Sequence, residues 1–239
     1  MQRYFVSLDK LNNIVFNQQD VFHITKVMRC RINDHIEVVI NNDAFEAVID
    51  SLSPLKIHLI GEKMRNNELK NNLVLFSPLL KSDKNELVIQ KATELGVTKI
   101  VFFISSRSII RLFQKDFDKK LDRYKLIVKE ASEQCHRNMI PEIVGLLSLK
   151  EIAAHKANIN LLAYEEENGK QNTIYKAFKS NSSISFIYGP EGGFDKKEIE
   201  LLGSMGFSLV SLGKRILRAE TASFYGLSII SSLMEEKNE

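Results

Sequence analysis

Residues 184–200 read ISFIYGPEGGFDKKEIE. A largely apolar run of strand length meets a turn with three glycines in five positions, Gly189-Pro190-Glu191-Gly192-Gly193, and then a helix-start signal. A buried strand, a glycine turn and a helix in succession form one βα step of a parallel sheet. The turn invites a phosphate, because glycine loops before helices offer free amides to anions. Three features argue against one. The spacing is neither Gly-x-Gly-x-x-Gly nor that of a P-loop. Glu191 would repel a phosphate, and Asp195-x-x-Glu198 is a capping box that already serves the helix amides. Taken alone, the stretch is a glycine-rich turn feeding a capped helix.

The same alternation extends on both sides. NLVLFSP (72–78), KIVFFI (99–104), NINLLAY (158–164) and FSLVSLG (207–213) read as strands. DKNELVIQKATEL (83–95) reads as a helix stopped by Gly96, a long helix is predicted over 116–136, and further helices begin at Asp195 and span 219–235. In the long helix Phe117, Leu121, Tyr124, Val128, Ala131 and Cys135 form one apolar stripe. This pattern predicts an α/β fold with a parallel sheet covered on both faces, whose ligands sit at the carboxyl ends of strands.

Residues 1–70 differ. RYFVSL, IEVVIN, EAVIDSL and KIHLIG read as short strands, with a hairpin turn at Asn41-Asn42-Asp43 and one helix-like stretch, QDVFHITKVMRC (19–30). The polar EKMRNNELKNN (62–72) reads as a linker, so the predicted domains are 1–70 and 71–239.

With 239 residues, 44% of them hydrophobic, and a net charge of +3, the chain has ample material for cores and tolerates a nucleic-acid partner without requiring one. Cys30 and Cys135 stand far apart, no long uncharged apolar run occurs, and MQRYFVSLDK lacks the apolar centre of a signal peptide. The expectation is a reduced, cytoplasmic protein. No metal site is expected, since Cys135 and His136 are adjacent, diverge on a helix and have no further metal ligands spaced to join them.

A second turn follows the last strand. SLGKRILRAETASFYGL (211–227) sets Arg215, Arg218, Glu220 and Thr221 between that strand and an apolar helix. Such a cluster reads either as a solvated face or as one wall of a ligand crevice.

GPEGGF (189–194) and LGKRILRAETA (212–222), with QKATELGV (90–97), EASEQCHRNMIPEI (130–143), HITKVMRCRINDHIEVV (23–39) and RYFV (3–6), together resemble the ribosomal RNA small subunit methyltransferase E family, of the SPOUT class of knotted methyltransferases. The resemblance covers the whole chain. It implies a PUA-like β-barrel RNA-binding domain, a C-terminal SPOUT domain with a trefoil knot, and a homodimer. It also implies N3-methylation of a uridine in small-subunit rRNA, within the assembled subunit, with S-adenosylmethionine as donor. One departure is Lys81-Ser82-Asp83-Lys84, where the family commonly shows a glycine and an arginine.

By this resemblance Gly189, Glu191, Gly192 and Gly193 line one side of the cofactor pocket. Leu212, Gly213, Ile216, Leu217 and Arg218 line the other, above Ala222. Methyl transfer to an imide nitrogen needs alignment and help in losing a proton. Glu220 is the candidate base and Arg218 the candidate anion stabiliser; the alternative is that Glu220 only holds Arg218 or a helix end. Residues 107–137 hold nine Lys/Arg against five Asp/Glu, an excess suited to phosphates, although a solvated helix face looks the same. Arg3, Arg29, Arg107, Arg111 and Arg137 are the candidate RNA contacts. The rival functions are a non-catalytic RNA-binding or ribosome-assembly protein on the same fold and, further off, a dehydrogenase.

Overall fold

The computed structural model describes residues 1–108, 110, 114–167 and 172–236. The chain forms two compact units, Met1–Glu68 with Ser132–Ile140, and Leu69–Ala131 with Pro141–Glu239.

The first unit holds β1 (Arg3–Phe5), β2 (Ser7–Leu8), β3 (Ile14–Val15), α1 (Gln18–Phe22), β4 (His35–Ile40), β5 (Asp43–Leu52) and β6 (Leu55–Ile60). Its main sheet has the order β1-β4-β5-β6, over a core of Tyr4, Ile24, Ile36, Val38, Ala47 and Ile49. Ile40 pairs with Asp43, and Asn41 and Asn42 between them take φ of 51° and 67°. That is the two-residue turn whose twist suits a hairpin, and asparagine tolerates it. The predicted helix over 19–30 is shorter: α1 gives way to a π-helical turn, His23–Val27, and Arg29 takes φ of 55°.

The stretch Ser132–Ile140 joins this unit through buried charge. Arg3, 1% exposed, donates to Glu37 Oε2 at 2.8 Å, to the backbone oxygens of His136 and Arg137, and to Asn138 Oδ1. Arg137, 4% exposed, pairs with Glu68 at 2.6 Å.

The second unit contains β7 (Leu73–Pro78), α2 (Ser82–Glu94), β8 (Lys99–Ile104), α3 (Gln114–Gln134), β9 (Glu142–Ser148), β10 (Ile159–Ala163), α4 (Ile174–Ala177), β11 (Ile184–Ile187), α5 (Lys196–Ser204), β12 (Ser208–Val210) and α6 (Ala219–Glu236). All six strands run parallel, in the order β12-β10-β11-β7-β8-β9. Alternation along β7 divides the core. Leu73 and Leu75 face α2, α3 and α6 through residues such as Val88, Phe117 and Leu227, whereas Val74 and Phe76 pack with Leu202 and Phe207 on the other face. The expected doubly covered parallel sheet is observed, with β9 as a further strand that the sequence reading left out. α2 stops as predicted: Gly96 takes φ of 83°, and Val97 N–H returns to Ala92 O at 3.0 Å. α3 ends at Gln134, and His136, at φ 56°, turns the chain, so Cys135 falls beyond the stripe.

The strand order reverses direction at β7. The chain builds outward through β8 and β9, then returns to lay β10, β11 and β12 on the opposite side. Crevices form at the carboxyl ends of strands around such a reversal.

Candidate functional site

β11 delivers Tyr188 to the head of the glycine turn. The Tyr188 hydroxyl meets Ser77 Oγ at 2.7 Å, both groups fully inside the protein, and burial pushes the phenol far above its ordinary pKa. Gly193 N–H closes the turn on Pro190 O at 2.9 Å, and Gly193 takes φ of 66°. That left-handed conformation is what requires glycine here, whereas a Cβ would meet only the movable carboxylate end of exposed Glu165, at 2.5 Å from its Oε1.

The predicted capping box is present: Asp195 Oδ1 accepts from Glu198 N–H and Glu198 Oε2 from Asp195 N–H. The same carboxylates also hold the segment after β8. Glu198 Oε1 accepts from Ser106 N–H at 2.7 Å, and Asp195 Oδ2 from the Ser106 hydroxyl at 2.8 Å. Hydrogen bonds from the Glu198 amide and the Ser106 hydroxyl hold the Asp195 carboxyl below its usual range. These anions serve the helix N-terminus that a phosphate would need. The clamp also sets Arg107 against the glycine turn, where its Nη1 lies 3.4 Å from Gly192 O and 3.3 Å from Phe194 O.

Between the ends of β10, β11 and β12 lies a cavity of about 540 Å³, within the range of small-molecule sites. Of the residues expected around a cofactor, Gly189, Glu191, Gly192, Gly193, Leu212, Ile216, Leu217, Arg218 and Ala222 line it. Gly213 is outside the lining; with φ of 105° it turns the chain, its N–H bonded to Ser211 Oγ. Lys84, noted in the sequence only as part of a departure from the family, also lines it, and Ala163, Tyr164, Glu165 and Tyr188 were not among the expected residues. The end of NINLLAY, a strand aimed at the same crevice, was the available signal for Ala163 and Tyr164.

The walls are chemically uneven. Leu212, Leu217, Ala163 and Ala222 are apolar, the 189–193 turn offers backbone, and Glu165 and Glu191 supply carboxylates. Cations come from elsewhere: Lys84 from α2, and Arg215 and Arg218 from the segment before α6. Lys84 Nζ lies 3.0 Å from Glu220 Oε2, with Glu220 only 14% exposed. Burial pushes the Glu220 carboxyl up, but its backbone hydrogen bond, the Lys84 ammonium and the nearby Arg218 outweigh it and leave the group below its usual range. The site can therefore take a medium-sized ligand with a flat apolar part and hydrogen-bonding edges, beside a cluster of positive charge.

The arginines expected on RNA separate into classes. Arg3 and Arg137 are corrected: both are buried and hydrogen-bonded inside the first unit, so their guanidinium groups are not presented to a phosphate. Arg29 and Arg107 are exposed, the latter beside Gly192. Arg111 lies outside the described residues. Among the described residues no helix is long and apolar enough to cross a membrane.

Residues 67–231 match the RNA methyltransferase domain family, and residues 16–60 the RNA methyltransferase PUA domain family. The chain is 35% identical to ribosomal RNA small subunit methyltransferase E of Bacillus subtilis (strain 168), over 97% of this chain and 96% of that one. It is 33% identical to the protein of that name from Mesomycoplasma hyopneumoniae (strain 232), over 95% of this chain and 98% of the relative. Its structure is similar to that of a ribosomal RNA small subunit methyltransferase E from Neisseria gonorrhoeae bound to S-adenosyl methionine, with a TM-score of 0.84, 29% identity and 98% of each chain covered. By these matches over nearly its whole length, the chain belongs to the ribosomal RNA small subunit methyltransferase E family.

Proposed function

We propose that this protein transfers a methyl group from S-adenosylmethionine to N3 of a uridine in small-subunit ribosomal RNA. It acts in the cytoplasm, as a homodimer, on the assembled subunit. The observation that carries the reading is the meeting of two turns far apart in sequence, 189–193 and 212–218, in one cavity at the strand ends. A protein that only bound RNA would have no use for it.

The residues fit the donor. The backbone of the 189–193 turn offers edges to an adenine, and Leu212, Leu217, Ala163 and Ala222 offer it apolar faces. Glu165 and Glu191 suit hydroxyl and ammonium groups and a positively charged sulfur. When bound, S-adenosylmethionine supplies a methyl group made electrophilic by that sulfur. The chain's own task is to orient the acceptor and to stabilise the charge that appears as the imide proton leaves. Glu220, tied to Lys84 and held ionised, is a weak acceptor for such a proton and serves to hold Lys84. Arg218, exposed on the cavity lining, adds positive charge beside the acceptor base, as the candidate stabiliser of its anion.

The first unit contributes RNA contacts, with exposed Arg29 as the remaining candidate there. The dimer is supported by the apolar residues of α6 that the core leaves partly uncovered. Leu227 and Ile230 are fully buried in the core, whereas Phe224, Ile229 and Leu233 are only partly covered and Tyr225 is 42% exposed. The trefoil knot belongs to the reading too, supported by β12 returning past β11 to pair with β10 while α6 packs on α2. Mapping modified nucleosides in small-subunit rRNA with and without the gene tests the activity. A 3-methyluridine that persists unchanged without the gene overturns it.

A further inference from the structure

The cavity wall contains a cation whose position is fixed from two sides. Lys84 stands in the first turn of α2, next to Asn85. Asn85 is 1% exposed, and its side chain accepts from Leu80 N–H at 2.9 Å and donates to Leu80 O at 2.6 Å, locking the β7–α2 connection. From the other side the Glu220 carboxylate holds the Lys84 ammonium at 3.0 Å. The Lys84 side chain is 31% exposed, so its charge is only partly screened by water. An ammonium fixed in a partly desolvated wall is suited to stabilising charge that develops during a reaction, because nothing has to reorganise when the charge appears.

Resting on the methyl-transfer reading above, we propose that Lys84 is a catalytic residue that touches the acceptor base: its ammonium hydrogen-bonds a carbonyl oxygen of the uracil and stabilises the anion formed when N3 loses its proton. The proton goes to solvent and leaves negative charge shared between N3 and its flanking carbonyl oxygens. The N3 lone pair then forms the bond to the methyl carbon, while the carbon–sulfur bond breaks and its electrons return to sulfur. One proton is released per methyl group transferred.

The neighbouring charges favour this role. Glu220 is the direct partner of the ammonium. Arg218 and Arg215 add two positive charges to the lining, Glu191 and Glu165 enter from the turns after β11 and β10, and the Tyr188 and Tyr164 phenols are both raised, chiefly by burial. Glu220 neutralises one of the three cations that line the cavity on the α2 and α6 side. Lysine serves as well as arginine here, since one carbonyl oxygen needs a single donor and no fork.

The test is single-turnover methylation of small ribosomal subunits lacking the modification, at saturating S-adenosylmethionine, from about pH 6 to about pH 9.5. Lys84→Met is expected to slow the step about a hundredfold near neutral pH. It should also move the rise of rate with pH toward alkali by about one unit or more, because the imide must then ionise unaided. Lys84→Arg should keep the wild-type profile, and calorimetric affinity for S-adenosylmethionine should stay within about threefold in both variants. Should Lys84→Met not fold, Lys84→Gln carries the same readouts. A neutral variant whose profile superimposes on the wild type overturns the assignment. So does a rate loss matched by an equal loss of cofactor affinity, which makes Lys84 a brace or a cofactor contact. A wild type that transfers no methyl group at any pH overturns the methyl-transfer reading itself.

Discussion

A methyl group added at Gly226 would stand 2.2 Å from Cζ of Phe186, so α6 lies against β11 at a distance only glycine allows. Phe186 is fully buried in the middle of the sheet and cannot swing into solvent. Alanine in mid-helix gains about 1 kcal/mol over glycine, but overpacking a rigid core costs about 1–3 kcal/mol, and the overlap here is severe. Gly226→Ala should therefore lose about 2 kcal/mol net, read in thermal unfolding as a fall in Tm of about 4–8 °C. In a Phe186→Leu background the penalty of Gly226→Ala should shrink. An equal penalty in both backgrounds would show that the ring is not what excludes the methyl group.

Gly192 tests the location of the donor site. A Cβ there would meet Arg107 Cβ and the Arg107 carbonyl oxygen, each at 3.0 Å. Valine should force the 189–193 turn and the segment after β8 apart, leaving the sheet folded. A shift of about 1 Å in a binding wall is enough for a tenfold to hundredfold effect. Calorimetric titration with S-adenosylmethionine should show at least a tenfold weaker complex for Gly192→Val, beside an unchanged far-ultraviolet dichroism spectrum. Unchanged affinity would mean that the donor binds elsewhere.

Arg3 and Glu37 test the buried charge network of the first unit. Arg3→Ala leaves the Glu37 carboxylate, 7% exposed, with only His136 beside it, and should cost about 3 kcal/mol in denaturant unfolding. The double variant Arg3→Met with Glu37→Leu should lose less than Arg3→Ala alone, because no buried carboxylate is then left short of a partner. A double variant at least as unstable as the single one refutes this account.

The same pair gives a pH dependence. Burial raises the Glu37 pKa, but hydrogen bonds from His136 and Arg3, with their charges, outweigh it and hold the group below its ordinary 4.5. A depressed folded-state pKa gives stability that is present above about 4.5 and lost as pH falls through the lower folded value. Unfolding of the wild type should therefore become easier below about pH 4.5, and Glu37→Gln should show a flatter profile in that window. Parallel acid profiles for the two proteins would exclude Glu37 as a contributor.

Arg218→Ala separates three roles. If the guanidinium stabilises the reacting base, single-turnover rate at saturating RNA and donor should fall by roughly hundreds-fold with both affinities kept. A phosphate contact would lower RNA affinity and flatten its salt slope by about one, leaving the rate. A role in shaping the 212–218 turn would lower donor affinity in step with turnover. The expected result is the first, and an unchanged single-turnover rate removes Arg218 from the chemistry.

The sequence determined most of what depends on local pattern, although β9 and the π-helical turn at His23–Val27 escaped it. Strand and helix periodicity placed the parallel sheet and its two covered faces, because burial on one side or both writes itself into spacing. Asn41-Asn42, Gly96 and the Asp195/Glu198 box were legible because turns, stops and caps need particular side chains at fixed offsets. Both cavity turns were legible for the same reason.

What the sequence could not supply was pairing at a distance. Nothing local distinguishes a surface arginine from Arg3, whose partners Glu37 and Asn138 lie 34 and 135 residues away. Nor does anything in KSDKNE announce that Lys84 will meet Glu220, 136 residues on, or that Gly226 exists to admit Phe186. Those relationships arise when strand order folds the chain back on itself. Charge and shape complementarity are properties of the assembled surface, and only the tertiary structure brings the two halves of each pair together.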